Sequence, residues 1–147
     1  MSGLAALLAG HNEPDIYQWH NAFPVADVRH AVEHAHWNFV HLDGWAVEDK
    51  TTFLKAVTAA FAFSDHLADN FDALSDSLAD VSAGDSEGTV MLWDGWGPLS
   101  RADAQVFSVA LSVLGGRVNA ERGGKFAVLL RGDGPTIDVP ELVAKAG

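Results

Sequence analysis

The sequence contains no cysteine and few basic residues. Without cysteine, the chain of 147 residues has no disulfide bond, thiolate metal ligand or cysteine nucleophile, and its composition suits a reducing compartment. Nine Lys and Arg residues stand against 20 Asp and Glu residues, which gives a formal net charge of −11. Nucleic acids and anionic membranes select basic surfaces, so neither is expected as a partner. A cationic partner suits the chain better.

Long hydrophobic runs are absent as well. The apolar run at residues 4–9 is far shorter than the core of a signal peptide, and no stretch reaches the length of a membrane span. We therefore expect a cytoplasmic protein. Hydrophobic residues still make up 48% of the chain, which is enough to fill the core of one domain.

Three short apolar runs predict buried strands, because each is rich in β-branched, aromatic or large aliphatic residues and is followed by glycine. The runs are residues 39–42, 89–93 and 126–130. Helical patterns lie between them, and strands joined by helices form parallel sheets with right-handed crossovers. We expect an α/β fold with a three-stranded parallel sheet. The first two runs both continue into Asp-Gly-Trp, at residues 43–45 and 94–96, which indicates similar strand ends.

Four helical patterns accompany these strands. One opens at Pro24, one covers residues 49–61, one carries apolar residues at steps of three and four from Leu67 to Val81, and one begins near Ser100 and Asp103. Two consecutive glycines, at 115 and 116, are expected to bend or end the last helix. The chain then divides into an N-terminal helical extension packed on the same domain (1–37), a core (38–132) and a C-terminal tail (133–147).

The charge distribution is uneven. Residues 56–100 contain no Lys or Arg but eight acidic residues. Four of these lie on one stripe of the third predicted helix, opposite its apolar face: Asp69, Asp72, Asp76 and Asp80. Like charges at i and i+4 repel, so stability gives no reason for the stripe. It is either a solvated face that serves solubility or a docking surface for a cationic cleft.

Two enzyme hypotheses have weaker support. His30, Glu33 and His34 fit the H-x-x-E-H zinc pattern, in which two histidines share a helix face and the glutamate activates water. A chain with seven histidines produces this short pattern easily, so exposed histidines are the simpler interpretation and a zinc hydrolase is a remote alternative. Asp72 and Asp76 lack the apolar pocket that acid/base catalysis in a glycosidase requires. We expect no enzymatic activity, no metal and no cofactor.

Residues 70–78, Asn-Phe-Asp-Ala-Leu-Ser-Asp-Ser-Leu, resemble the hallmark segment of the barstar family, the intracellular inhibitors of secreted barnase-type ribonucleases. The predicted strands and the helix at 49–61 match the family in order, and the segments ending in Leu-Trp-Asp-Gly-Trp and Val-Leu-Leu-Arg-Gly resemble its longer, actinobacterial-like branch. The resemblance implies a barstar-like three-stranded parallel sheet with helices. It also implies an inhibitor of a guanyl-preferring ribonuclease that is a monomer when free.

The resemblance further implies which residues contact the partner. In the family a helical carboxylate stands where the RNA phosphate would be, and the motif assigns this role to Asp76. The full set of implied partner-binding residues is His66, Ala68, Asn70, Phe71, Asp72, Ser75, Asp76 and Asp80. The sequence departs from the family at residues 66–68, His-Leu-Ala instead of aromatic-aromatic-Gly, and at Ser75, where barstar has a large aromatic residue. The alternative is a barstar-like module that binds another basic protein.

Overall fold

A parallel sheet forms the centre of the computed structural model, which describes residues 2–64 and 70–143. Its strands are β1 (Ile16–Gln18), β2 (Asn38–Asp43), β3 (Gly88–Asp94) and β4 (Lys125–Arg131). They lie in the order β1-β4-β3-β2, and every pairing between neighbours is parallel. The α/β fold predicted from the sequence is therefore confirmed.

The predicted strand number was wrong, because the sheet has four strands rather than three. β2, β3 and β4 are the predicted runs, each extended by one residue at both ends. β1 has only three residues and pairs with β4 in the register Ile16↔Val128. Its sequence, Ile-Tyr-Gln, is too short and too mixed to form the apolar run that marked the other strands.

Six helices surround the sheet within the described residues. They are α1 (Ser2–Leu8), α2 (Val25–His34), α3 (Lys50–Phe61), α4 (Phe71–Ala79), α5 (Gly97–Ala102) and α6 (Ala104–Val118). Asp103 is the N-cap of α6, and its carboxylate accepts a hydrogen bond from the Val106 amide at 3.1 Å. Ser100 belongs to the separate helix α5. α6 continues through both glycines to Val118, so the expected interruption is absent.

Alternation along the strands divides the core between the two faces of the sheet. On β3, Met91 and Trp93 belong to one cluster, which includes apolar residues of α3, α4 and α6. Val90 and Leu92 belong to a second cluster, which includes apolar residues of α1 and α2. Helices therefore cover both faces of the sheet.

The N-terminal extension and the C-terminal tail meet beside β1. The Gln18 amide donates to the Pro140 carbonyl at 2.8 Å, and the Leu142 amide donates to the Gln18 carbonyl at 2.8 Å. The Leu142 side chain is buried against the α1 and α2 side of the sheet. None of the helices in the described residues is long and apolar enough to cross a membrane.

Candidate functional site

The α4 helix carries the candidate site, and Asn70 fixes where it begins. The Asn70 side-chain oxygen accepts hydrogen bonds from the amides of Asp72 at 2.8 Å and Ala73 at 3.1 Å. These amides have no carbonyl partner inside the helix, so an asparagine at the N-cap stabilises the first turn. Asp72 lies in that turn, where the helix dipole favours a negative charge.

Apolar contacts hold one side of α4 against the domain. Leu74 and Leu78 are fully buried, four residues apart on the same stripe. Phe71 is half-buried, with its ring centroid 6.1 Å from that of Phe53 in α3. The ammonium group of Lys50, the first residue of α3, lies 5.4 Å from the Phe71 ring centroid. The N-termini of α3 and α4 are therefore neighbours on the surface.

Arg117 of α6 holds the C-terminal end of α4. Its guanidinium donates to the carbonyls of Leu78 at 3.1 Å and Val81 at 2.9 Å, and also to those of Gly123 and Gly124. A cation that binds the last carbonyls of a helix satisfies their lone pairs and complements the dipole. The residue is 3% exposed, and this burial lowers the pKa of Arg117. Both ends of α4 are consequently fixed.

The acidic side chains of α4 face solvent. Asp72 and Asp76 are exposed one turn apart, Ser75 is exposed beside them, and Asp80 is exposed at the C-cap. No Lys, Arg or His side chain in residues 2–64 and 70–143 forms an ion pair with these three aspartates. Three other residues assigned to this surface, His66, Ala68 and Asp69, lie outside the described residues.

One carboxylate of the acidic segment, residues 56–100, is buried inside the protein. Asp94, the last residue of β3, accepts hydrogen bonds from Arg131 Nε at 2.6 Å and Nη2 at 3.0 Å, and its other neighbour is His41 Nε2 at 2.8 Å. Arg131 Nη1 also donates to the Asn21 side chain and to the Phe23 carbonyl, in the loop before α2. Burial alone would raise the pKa of Asp94, but the hydrogen bonds from Arg131 and His41 outweigh it and lower the pKa.

The histidines of the zinc pattern lie on the outer face of α2. His30, Glu33 and His34 are exposed, and the two imidazole rings stack with centroids 5.9 Å apart. Glu33 forms an i,i+4 ion pair with Arg29 at 3.7 Å. In the part of the chain that the structure describes, no three His, Cys, Asp or Glu side chains are grouped closely enough to hold a metal ion.

A family model described as Barstar (barnase inhibitor) matches residues 37–131, almost two thirds of the chain. The chain belongs to the barstar family. The match covers β2, β3, β4 and all of α4, so family membership supports a role like that of a barnase inhibitor, and the family is one of inhibitors rather than enzymes. No curated protein matches the chain.

Two buried groups that stabilise the structure around α4 and the end of β3, Arg117 and Asp94, were not predicted from the sequence. Arg117 carried no pattern, because a single arginine near a helix end is usually solvated. Asp94 was counted only among the eight acidic residues of 56–100, and its partner Arg131 belongs to another strand. Tryptophan beside a strand end predicts packing, as is true of Trp93 at 0% exposure, whereas Trp45 is 57% exposed.

Proposed function

We propose that this barstar-family protein inhibits a secreted, guanyl-preferring ribonuclease of the barnase type from within the cytoplasm of the producing cell. Asp76 would pair with the cationic groups of the nuclease active site, and Asp72 would support it one turn earlier. Asn70, Phe71, Ser75 and Asp80 complete the proposed contact on α4, together with His66 and Ala68 from the preceding segment.

The observation that carries this proposal is the state of the α4 carboxylates. Asp72 and Asp76 are exposed and form no ion pair with a Lys, Arg or His side chain of residues 2–64 and 70–143, on a helix that Asn70 holds at its start and Arg117 at its end. A rigid surface loses little conformational entropy on binding, and exposed carboxylates speed association with a basic partner. The net charge of −11 adds to this attraction.

The direct test is inhibition. Purified protein is mixed with a barnase-type ribonuclease encoded by the same organism, and RNA cleavage is followed together with complex formation by calorimetry at low salt. We expect loss of cleavage at one inhibitor per nuclease. No binding to any nuclease of this class would reject the proposal.

A second candidate is binding to another basic protein. The departures that favour it are residues 66–68, His-Leu-Ala, and the exposed Ser75, where barstar has a large aromatic residue. Affinity capture from host lysate, with Asp76→Ala protein as the matched bait, distinguishes the two candidates. A ribonuclease that is captured by the wild type alone supports inhibition, and a different basic protein supports the alternative.

A further inference from the structure

Trp45 differs from the other tryptophans of the chain. It is 57% exposed, whereas the remaining four are at most 4% exposed: Trp19, Trp37, Trp93 and Trp96. Trp45 follows β2, at the edge of the sheet where the parallel strands end, and Lys50 at the start of α3 is five residues further on. Tryptophan is among the residues that contribute most to binding at protein interfaces, so the exposed indole is available for a contact of this kind.

Two glycines, Gly95 and Gly132, lie against the Trp45 ring. A Cβ atom placed on Gly95 would lie 2.5 Å from ring atom Cδ2, and one placed on Gly132 would lie 2.9 Å from Cη2. Both glycines have positive φ, 73° and 114°, so they follow their strands in conformations that side chains rarely adopt. The indole thus lies against both glycines, at the ends of β3 and β4, and 57% of the residue stays exposed. We call this arrangement the Trp45 platform.

The loop that carries the platform is anchored on both sides of Trp45. The Gly44 amide donates to the Asp94 carbonyl at 2.7 Å, and a Cβ atom at Gly44 would lie 2.7 Å from the Gly95 carbonyl oxygen. The buried Val47 donates its amide to the Gly44 carbonyl at 3.1 Å. The glycine at position 44 is therefore explained by the close approach of the two chain segments, and the backbone on both sides of Trp45 is held in place.

Carboxylates border the platform. The Asp43 carboxylate accepts a hydrogen bond from the Trp45 backbone amide at 3.3 Å, and Asp133 follows Gly132 in the chain. Glu48 and Asp49 are exposed on the same loop. Among the basic residues near this edge, Arg131 binds Asp94, Lys50 lies over Phe71, and Arg101 of α5 lies beside Gly97 and the Asp133 backbone. Five carboxylates, at 43, 48, 49, 94 and 133, outnumber these three cations, so the exposed indole is an aromatic surface in a net negative field, which attracts cations.

We infer that the Trp45 platform is a second contact for the basic partner and receives an arginine or lysine side chain of that protein by cation–π stacking. The inference rests on the proposed function. The five residue steps from Trp45 to Lys50 span at most about 18 Å of chain, and the Lys50 ammonium group lies over the ring of Phe71, the first residue of α4. A standard interface covers about 800 Å² per partner, or roughly 30 Å across, so one nuclease can contact both α4 and the platform.

Fluorescence quenching of the free protein tests the platform itself. Since Trp45 is the exposed tryptophan, we expect acrylamide to quench one fraction of the emission, and that fraction to be missing in Trp45→Phe protein. Relative to free N-acetyl-tryptophanamide, caesium should quench this fraction more strongly and iodide more weakly. Stronger quenching by iodide would overturn the negative border and with it the choice of a cationic occupant.

Binding of the barnase-type ribonuclease tests the contact. Trp45→Ala and Trp45→Leu should each raise the Kd about tenfold, which is the size of a desolvated cation–π contact, while Trp45→Phe should raise it about threefold or less because an aromatic face remains. Val109→Ala, which removes apolar surface at a 38% exposed position on α6, should leave the Kd unchanged.

The outcomes separate the two proposals. If wild-type protein binds the nuclease and Trp45→Ala binds equally tightly, the platform is not a contact, and the proposed function stands. If Trp45→Leu binds like wild type while Trp45→Ala does not, the contact is apolar and the cation–π inference is wrong. If wild-type protein binds no ribonuclease of this class, the proposed function fails, and the inference that rests on it fails too.

Discussion

Asp76 and Asp94 carry the same charge in opposite surroundings. Asp76 is exposed on α4 and has no internal cation in the described residues, whereas Asp94 is 7% exposed and is bound by Arg131 and His41. A buried carboxylate without its partners would be very unstable, and an exposed one without a partner costs the fold little. Asp94 therefore has a structural role inside the protein, whereas Asp76 is exposed and available for the proposed contact with a partner.

The largest expected effect comes from removing the internal cation. Arg131→Ala should lower the free energy of unfolding by about 3–5 kcal/mol, because it leaves Asp94 buried with only His41 beside it. Denaturant unfolding followed by circular dichroism measures this loss. The control is Glu33→Ala, which breaks the half-exposed ion pair with Arg29 and leaves Arg29 over the Phe39 ring, so it should cost less than about 1 kcal/mol. Equal effects of the two changes would contradict the structural role of Asp94.

Asp76→Ala should show the reverse pattern. Binding to the ribonuclease should weaken by about 2–5 kcal/mol, mainly through faster dissociation, because the partner's buried cations lose their carboxylate. The free energy of unfolding should stay the same or rise by about 0.2–0.5 kcal/mol for each like-charged i,i+4 neighbour that is relieved, Asp72 and Asp80.

Surface plasmon resonance and denaturant unfolding of the same preparation measure both quantities for Asp76→Ala. Asp85→Ala, which removes an exposed carboxylate from the loop before β3, is the control and should change neither one. Binding as tight as that of wild type would reject the docking surface. Unfolding of the free variant would instead show that Asp76 has a structural partner.

The free energy of unfolding at acidic pH should depend on Asp94. The pKa of Asp94 in the folded protein lies below its ordinary value of 3.8, so the folded state binds this proton less readily than the unfolded chain does. The stability that Asp94 contributes is complete above its ordinary pKa and is lost as the pH falls through its folded pKa. Unfolding measured from pH 6 downward should show this loss, and it should be smaller in Asp94→Asn than in Asp76→Asn or wild type.

The two aspartates also show how far the sequence predicts the structure. β2, β3 and β4 were predicted within one residue at each end, because each is built on a short run of aromatic, β-branched or large aliphatic residues. The three residues of β1 are held by backbone pairing with β4, which leaves no such pattern. The sequence also did not show that Asp94 is buried while Asp76 is exposed. The Asp94 partner, Arg131, is 37 residues away, and their pairing depends on strand register.

A smaller effect on stability is expected at the start of α4, where Asn70 caps the helix and also belongs to the proposed contact surface. Asn70→Ala should lower the free energy of unfolding by about 1 kcal/mol, because the amides of Asp72 and Ala73 lose their acceptor. Asn70→Asp keeps an acceptor oxygen at the N-cap and should retain most of the stability. Thermal unfolding of the two variants measures the difference, and an equal loss in both would show that the cap does not stabilise the helix.

The smallest effect, a change in the association rate, is expected at the C-terminal end of α4. Asp80 is exposed at the C-cap of α4, one turn beyond Asp76, so it should act through the field it adds rather than through a desolvated contact. Asp80→Ala should slow association about two- to threefold at low salt and leave dissociation unchanged. The difference should disappear at high salt, since exposed charges are screened beyond about 8 Å at physiological ionic strength and more strongly above it. Stopped-flow association at two salt concentrations tests this, and a faster dissociation of Asp80→Ala would place Asp80 among the buried contacts instead.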